Sequence, residues 1–328
     1  MSKKVALITG ITGMDGSHLA EYLLIKDYKI YGLIRRSSVN NMWRIEKIIN
    51  DIELINGDIL DSSSLNRTIN SIQPDECYNL AAQSFVKASW DTPEYTFDVN
   101  ATGVIRLLEA IRAFGKKDTR IYQASSSEQF GKVQETPQTE TTKFYPRSVY
   151  GCSKAAAHYI CVNYRESYDM FISCGVSFNH ESFRRGLEFV SRKISYGVAK
   201  IHLGLATHIE LGNLDTKRDF GYAPEFCEAF WKILQLNEPD DFVLATGETH
   251  SIKEFVQMAF EVVEIHNWQD YIKQNPKFMR PAEVDYLLGD ARKAEKILGW
   301  KSKISFKELV NIMVSSDLER LKFGARYD

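Results

Sequence analysis

Two short stretches of this chain carry side chains that could move protons together. Ser125-Ser126-Ser127-Glu128 ends the apolar run that begins at Arg120 and reads as a buried strand. Tyr150-Gly-Cys-Ser-Lys154 opens a helix-like run that continues to Tyr164. A Tyr four residues before a Lys on a helix puts both side chains on one face, about one turn apart. Free tyrosine titrates at about 10, so a Tyr that takes protons near neutrality needs a cation beside it, and Lys154 is placed to supply one. Ser126 and Glu128 add a hydroxyl and a carboxylate at the end of the neighbouring strand. The same Tyr–Lys spacing also arises where an aromatic at a helix start merely packs on a sheet. Its position, after a strand with a hydroxyl-rich end and downstream of a nucleotide-binding start, favours the chemical reading.

That start is the apolar run Lys4 to Thr9, followed by Gly10-Ile-Thr12-Gly13-Met14-Asp15-Gly16, with apolar residues then recurring at Leu19, Leu23 and Leu24. Strand, glycine turn and helix is the context of a dinucleotide fingerprint, although the spacing is GxxGxxG instead of GxGxxG. Glycines let backbone N–H groups approach a pyrophosphate, and the helix N-terminus adds partial positive charge. Lys29 to Ile34 reads as a second strand, ending in Arg35-Arg36-Ser37-Ser38. An NAD site would carry an acidic residue there; two arginines suit the 2′-phosphate of NADP. Glu53 to Asn56 is a third strand, and Asp58 beyond it either faces an adenine or caps the helix starting near Asp61. Asp75 to Leu80 is a fourth, running into the small residues Ala81-Ala82-Gln83-Ser84. A helix covers Val99 to Phe114, and Phe171 to Phe178 is a further strand. Alternating strands and helices argue a Rossmann-type, doubly wound parallel α/β sheet.

Past Phe178 the chain becomes polar and basic, from Asn179-His180-Glu181 to Gly186, before an amphipathic helix from Phe189 to Leu203 that bears Arg192 and Lys193. These two, with Arg218 and Arg280, are candidates for holding a diphosphate. His180 on its own reads as a hydrogen-bonded structural residue. The expected division is a cofactor-binding domain over 1–178 and a smaller mixed α/β substrate lobe mainly over 179–328, with interleaved segments.

Bulk properties limit the function classes. The 328 residues are 44% hydrophobic and 26% charged, with a net charge of −2. That is a globular profile with no global field to recruit nucleic acid. No apolar run reaches the length of a membrane span. The five cysteines show no CxxC spacing, so neither a zinc site nor a disulfide framework is expected, and a reducing cytoplasm is.

Taken together, several strings resemble the GDP-mannose 4,6-dehydratases, a family of extended short-chain dehydrogenase/reductases. They are Thr9-Gly-Ile-Thr-Gly-Met-Asp-Gly16, Arg35-Arg36-Ser37-Ser38, Asn79-Leu-Ala-Ala-Gln-Ser84, Pro93-Glu-Tyr95 and Gln123-Ala-Ser-Ser-Ser-Glu128. Further along come Phe144-Tyr-Pro-Arg-Ser148, Asn163-Tyr-Arg-Glu-Ser167, Asn179-His-Glu-Ser182, Leu211-Gly-Asn213 and Arg280-Pro-Ala-Glu283. The resemblance spans nearly the whole chain. It implies an NADP site lined by Gly10 to Gly16, Arg35, Arg36, Asp58, Ile59, Leu80 to Ser84, Tyr95, Lys154, His180 and Arg185. It implies catalysis by Ser126, Glu128, Tyr150 and Lys154, and binding of the GDP part of a GDP-linked hexose by Asn179, Lys193, Arg218, Arg280 and Glu283. It also implies a homodimer or homotetramer, with the arginine loop after the second strand reaching across an interface.

The chain departs from the family pattern at several points. Ser126 stands for the usual Thr, Phe85 for a His, Phe183 for a Pro, and Val149 and Gly151-Cys-Ser for the usual residues around the Tyr. GDP-mannose is the leading substrate, with GDP-N-acetylglucosamine or a GDP-heptose as alternatives. A sugar reductase or epimerase would share Tyr150 and Lys154 without needing Glu128, and a non-catalytic NADP-binding protein would need none of the four.

Overall fold

The structure, a computed structural model, describes residues 3–38, 41–284 and 286–324. Six runs of the first half form strands: β1 (Val5–Thr9), β2 (Lys29–Ile34), β3 (Glu53–Asn56), β4 (Glu76–Asn79), β5 (Arg120–Ser126) and β6 (Ile172–Ser177). They pair in parallel in the order β3-β2-β1-β4-β5-β6. The expected doubly wound sheet is therefore present. Helices cover both faces of its inner strands, so β4 and β6 are buried along their whole length.

The helices in chain order are α1 (Met14–Ile25), α2 (Ser62–Ile72), the short α3 (Ala88–Asp91) and α4 (Pro93–Phe97), α5 (Gly103–Phe114) and α6 (Val149–Tyr168). α2, α5 and α6 share one apolar core with the sheet. The helix expected from Val99 begins instead with a π turn over Asp98–Thr102. This wider turn buries Asn100, whose carboxamide bonds both backbone groups of Gln83 and the Ser153 hydroxyl. One side chain thereby ties the segment after β4 to α6, and satisfying those buried groups favours the π turn.

Beyond Phe178 the chain forms β7 (Asn179–Glu181), α7 (Val190–His202), β8 (Ile209–Leu211), β9 (Lys217–Arg218), β10 (Phe220–Tyr222), α8 (Ala223–Ile233) and β11 (Phe242–Leu244). It then continues through β12 (His250–Ser251), α9 (Ile252–Glu261), β13 (Ile272–Gln274), α10 (Arg292–Leu298) and α11 (Phe306–Lys322). β11 returns to the large sheet as its seventh strand beside β6, and α8 shares the core of α1. α10 joins that same core, whereas α7, α9 and α11 pack on one another around a separate one. Within it Arg192, wholly buried, clamps Asp317 of α11 at 2.6 to 3.0 Å. Arg192 is thus not a diphosphate ligand, as its place on the amphipathic helix suggested. Its neighbour Lys193 faces the cleft between the halves. Among the described residues no helix is long and apolar enough to cross a membrane.

Candidate active site

A cavity of about 570 Å³ opens at the carboxyl ends of the sheet strands, where the strand order reverses between β1 and β4. This is the switch point at which open α/β sheets bind ligands. Thr9 joins the two strand ends: its hydroxyl donates to Asn79 Oδ1 at 2.7 Å and accepts from the backbone N–H of Leu80 and Ala81. Gly10 follows with φ +69°, and a Cβ there would lie 2.9 Å from the Ala81 nitrogen. Only glycine suits such a turn. It brings the chain to Gly13, which caps α1 without any side-chain hydrogen bond, leaving that helix N-terminus to the cavity.

The same wall carries Thr12, Met14, Asp15, Gly16, Arg35, Asp58, Ile59, Leu80, Ala81, Ala82, Ser84 and Tyr95. Arg35 donates to the Tyr95 hydroxyl at 2.8 Å. Asp58 accepts from the Leu60 N–H, while Asp61 caps α2 through the N–H groups of Ser63 and Ser64, so of the two readings of Asp58 the cap is excluded. Arg36 and Gln83 are off the wall. Arg36 is exposed, and Gln83 is turned toward α4, its carboxamide donating to Thr96 Oγ1. His180 lines the cavity between two acceptors, Phe178 O at 2.7 Å from Nδ1 and Asp15 Oδ2 at 3.1 Å from Nε2, so both contacts are hydrogen bonds when the ring carries a proton on each nitrogen and donates to both. Burial alone would push the Asp15 carboxyl up and the His180 imidazole down; their mutual attraction reverses both. Arg185 stacks on Phe189 with its guanidinium 3.7 Å from the ring centre, and pairs with Glu181.

Ser126, Glu128, Tyr150 and Lys154 meet at the end of β5. Glu128 stands on a single 3-10 turn, Ser127–Gln129, fixed by a reciprocal cap: Ser126 Oγ accepts from the Glu128 N–H and Gln129 Oε1 accepts from the Ser126 N–H. Ser148 caps α6 by accepting from the Gly151 N–H at 3.0 Å. A Cβ at Gly151 would lie 2.6 Å from Glu128 O, so this glycine permits the close approach of α6 to the carboxylate's turn. Lys154 donates to Ala124 O at 2.8 Å. Burial pulls its ammonium down to about 8 and pushes the Tyr150 phenol up to about 12, the latter partly offset by Ser126. Burial would also raise the Glu128 carboxyl, but the guanidinia of Arg280 and Arg218 outweigh it and hold the group below its ordinary value.

The opposite wall holds Asn179, Lys193, Arg218, Arg280 and Glu283. Arg280 donates to Glu128 Oε1 at 3.1 Å and Arg218 to Glu283 Oε1 at 3.3 Å. Lys193 sits 3.2 Å above the centre of the Phe278 ring, and Lys87 approaches the same ring at 5.2 Å. Lys87 and Phe278 went unremarked as wall residues in the sequence. The one available sign was that Lys87 closely follows the small-residue segment after β4. Of the departures from the family pattern, Ser126 and Phe85 lie on the wall; Phe183 does not, packing edge-on against His18 instead.

A parallel sheet in this order, a glycine turn at its switch point and a Tyr–Lys pair on the helix after β5 define an extended short-chain dehydrogenase/reductase. Solved structures of like fold include UDP-glucose 4-epimerase of Thermus thermophilus in complex with NAD, with a TM-score of 0.83 and 25% identity over 95% of this chain and 98% of that one. A dTDP-glucose 4,6-dehydratase of Streptomyces venezuelae superposes with a TM-score of 0.87 at 20% identity, over 97% of this chain and 98% of that one. The sequence narrows the class. The profile of GDP-mannose 4,6 dehydratase matches residues 7–313. The Drosophila melanogaster GDP-mannose 4,6 dehydratase is 50% identical over 344 residues, covering 97% of this chain and 87% of that protein. The chain belongs to the GDP-mannose 4,6-dehydratase family of nucleotide-sugar dehydratases.

Proposed function

We propose that this chain is an NADP-dependent GDP-mannose 4,6-dehydratase. The observation that carries the reading is the buried Glu128 carboxylate in one cavity with Tyr150 and Lys154. A reductase or epimerase has no use for a carboxylate there, whereas water elimination requires a base for a carbon-bound proton. The glycine floor and the uncapped start of α1 suit a dinucleotide pyrophosphate, and Arg35 on the wall suits a 2′-phosphate. Gly10 to Gly16, Arg35, Asp58, Ile59, Leu80 to Ala82, Ser84, Tyr95 and Lys154 would hold the cofactor, with His180 and Arg185 at its reactive end. When bound, NADP supplies the acceptor for the C4 hydrogen and returns it at C6. The chain's own groups move the protons. Tyr150, with the Lys154 ammonium beside it, takes the proton of the C4 hydroxyl, whose oxygen Ser126 orients. The C4 ketone acidifies the C5 hydrogen. Glu128 takes that proton and passes it to the C6 hydroxyl, which leaves as water. When the hydrogen returns at C6, C5 is reprotonated through Glu128 and the proton taken by Tyr150 is released to solvent, so the chain's groups end as they began. Asn179, Lys193, Arg218, Arg280 and Glu283 hold the GDP part.

A second reading keeps the chemistry and changes the hexose. Phe85, an apolar ring in edge contact with Phe189, stands on the wall at the family's His position and favours a GDP-sugar other than mannose, with GDP-N-acetylglucosamine and a GDP-heptose the first to try. The assembly is a cytoplasmic homodimer or homotetramer; the exposed aromatics Phe114 on α5 and Tyr159 and Tyr168 on α6 offer surface for a second copy.

The test is Glu128→Gln assayed on a panel of GDP-hexoses. Wild-type protein is expected to form the 4-keto-6-deoxy sugar with no net change in NADPH. The variant should still oxidise C4, fail to eliminate water and accumulate reduced cofactor, with product formation down about 10²–10⁴-fold. Product at near wild-type rate from the variant overturns the dehydratase mechanism.

A further inference from the structure

Four charged side chains alternate across the cleft. Glu128 meets Arg280 Nη1 at 3.1 Å, Arg280 Nε lies 3.9 Å from Glu283 Oε1, and the same oxygen meets Arg218 Nη2 at 3.3 Å. Two guanidinia and two carboxylates make the group neutral, and it is largely buried. A diphosphate entering beside it adds at least two negative charges. A guanidinium in this group can turn its fork to the phosphates only by loosening its hold on a carboxylate. The two carboxylates differ in what else holds them. Glu283 also accepts from the Val284 N–H at 3.1 Å and stays paired with Arg218. Glu128 has its hydrogen bond to Arg280, and that arginine belongs to a chain segment 152 residues away, just past the short turn Pro276–Phe278. The carboxylate stands on a capped turn at a strand end, so the arginine is the partner free to move.

We propose that Arg280 is a positioning residue that latches Glu128 in the resting site and transfers its guanidinium to the substrate's diphosphate, so that the nucleotide end of the substrate frees the base needed at its sugar end. This deepens the reading of the site as a GDP-sugar dehydratase and rests on it. The chemical consequence follows from what faces Glu128: Arg280 and, behind it, Glu283 from the segment after Pro276–Phe278, Arg218 from β9, and Tyr150 from α6. With Arg280 attached, Glu128 is a weak base for a carbon-bound proton. With Arg280 drawn to phosphate, Glu128 keeps only the more distant attraction of Arg218, which stays paired with Glu283, so burial weighs more and its basicity rises. Binding energy from a part of the substrate that does not react is thereby used in the elimination step. A hexose lacking the diphosphate would leave the latch closed.

GDP alone is the probe, added to the NADP-loaded protein. In a crystal structure of that complex Arg280 is expected on a phosphate oxygen and out of hydrogen-bond reach of Glu128. In solution, the Glu128 carboxyl is followed by ¹³C NMR of carboxyl-labelled glutamate, its signal identified by loss in Glu128→Gln. Its titration midpoint should rise by about one pH unit or more when GDP binds, the scale of losing one close opposite charge. In Arg280→Gln the midpoint should already be raised without GDP, and GDP should move it less than half as far. A purely structural arginine would change GDP affinity without this pattern. GDP bound with Arg280 still about 3 Å from Glu128, or an unmoved midpoint, overturns the transfer alone. Failure of GDP to bind at all overturns the GDP-sugar reading together with it.

Discussion

The wall at the sheet's switch point and the wall facing it are built from different materials. The first is mostly backbone: the turn from Gly10 to Gly16, the uncapped start of α1, and Thr9 holding Leu80 and Ala81. Its parts come from neighbouring strand ends of one sheet, so the fold itself fixes their positions. The second is made of charged side chains, Lys193, Arg218, Arg280 and Glu283, from segments scattered through the later chain and tied to Glu128 across the cleft. Backbone donors survive every substitution except proline, whereas a charged wall depends on each member keeping its partners. The first wall should therefore fail through geometry and the second through charge.

The sharpest way to separate the two is the residue lying between them. Tyr150→Phe removes only a hydroxyl and is expected to lower turnover about 10²–10⁴-fold while thermal stability and the binding of NADP and GDP stay within a few-fold of wild type; steady-state rates and calorimetric titrations check it. Next in size is Arg218→Ala on the charged wall. Arg218 is buried and paired with Glu283, so its loss should weaken GDP binding by about 2–5 kcal/mol and leave NADP affinity nearly unchanged. A matching loss of NADP affinity would erase the distinction between the walls. On the backbone wall, Gly10→Ala must take φ +69° and a 2.9 Å contact with Ala81. A cost of about 1–3 kcal/mol in stability is expected, read by denaturant unfolding, together with weakened NADP binding and little change for GDP.

The smallest effect is one of pH. Burial pulls the Lys154 ammonium down to about 8, so the cation is complete below that pH and is lost as pH rises through it. Between about 8 and the 10.4 of a free lysine the unfolded chain binds more protons than the folded one, so this group's contribution to stability rises with pH over that window. The NADP affinity of stripped protein should run the other way, falling above pH 8 by at most about tenfold per unit. Lys154→Met should flatten that dependence; an unchanged slope in the variant would remove Lys154 from the cofactor wall.

Local spacing made the backbone wall readable. Glycines at 10, 13 and 16 after an apolar run, a Tyr and a Lys four apart, and Ser126 with Glu128 at a strand end all encode geometry within a few residues. Short runs rich in apolar residues also announced the strands of the parallel sheet, because strands covered on both faces bury most of their side chains. Charge was less readable. Arg192 and Lys193 are adjacent on α7, yet one is sealed against Asp317 and the other faces the cleft. Arg35 and Arg36 are adjacent and both exposed, yet only Arg35 borders the cavity, where it donates to the Tyr95 hydroxyl. Neither pair could be sorted without knowing what packs on the far side.

The sequence by itself determined the class of sheet, the glycine turn, the Tyr–Lys spacing with a serine and a glutamate at a strand end and, through strings such as Asn179-His-Glu-Ser182, the family. Each of these depends on interactions between residues close in the chain or on a regular period. Only the tertiary structure decided that β11 and α8 return to the first half, that a π turn replaces the start of α5, and that Arg280 reaches Glu128 from 152 residues away. Those outcomes depend on which buried polar groups find partners once distant segments meet, and a buried group takes whatever partner the packed chain offers, at whatever separation in sequence.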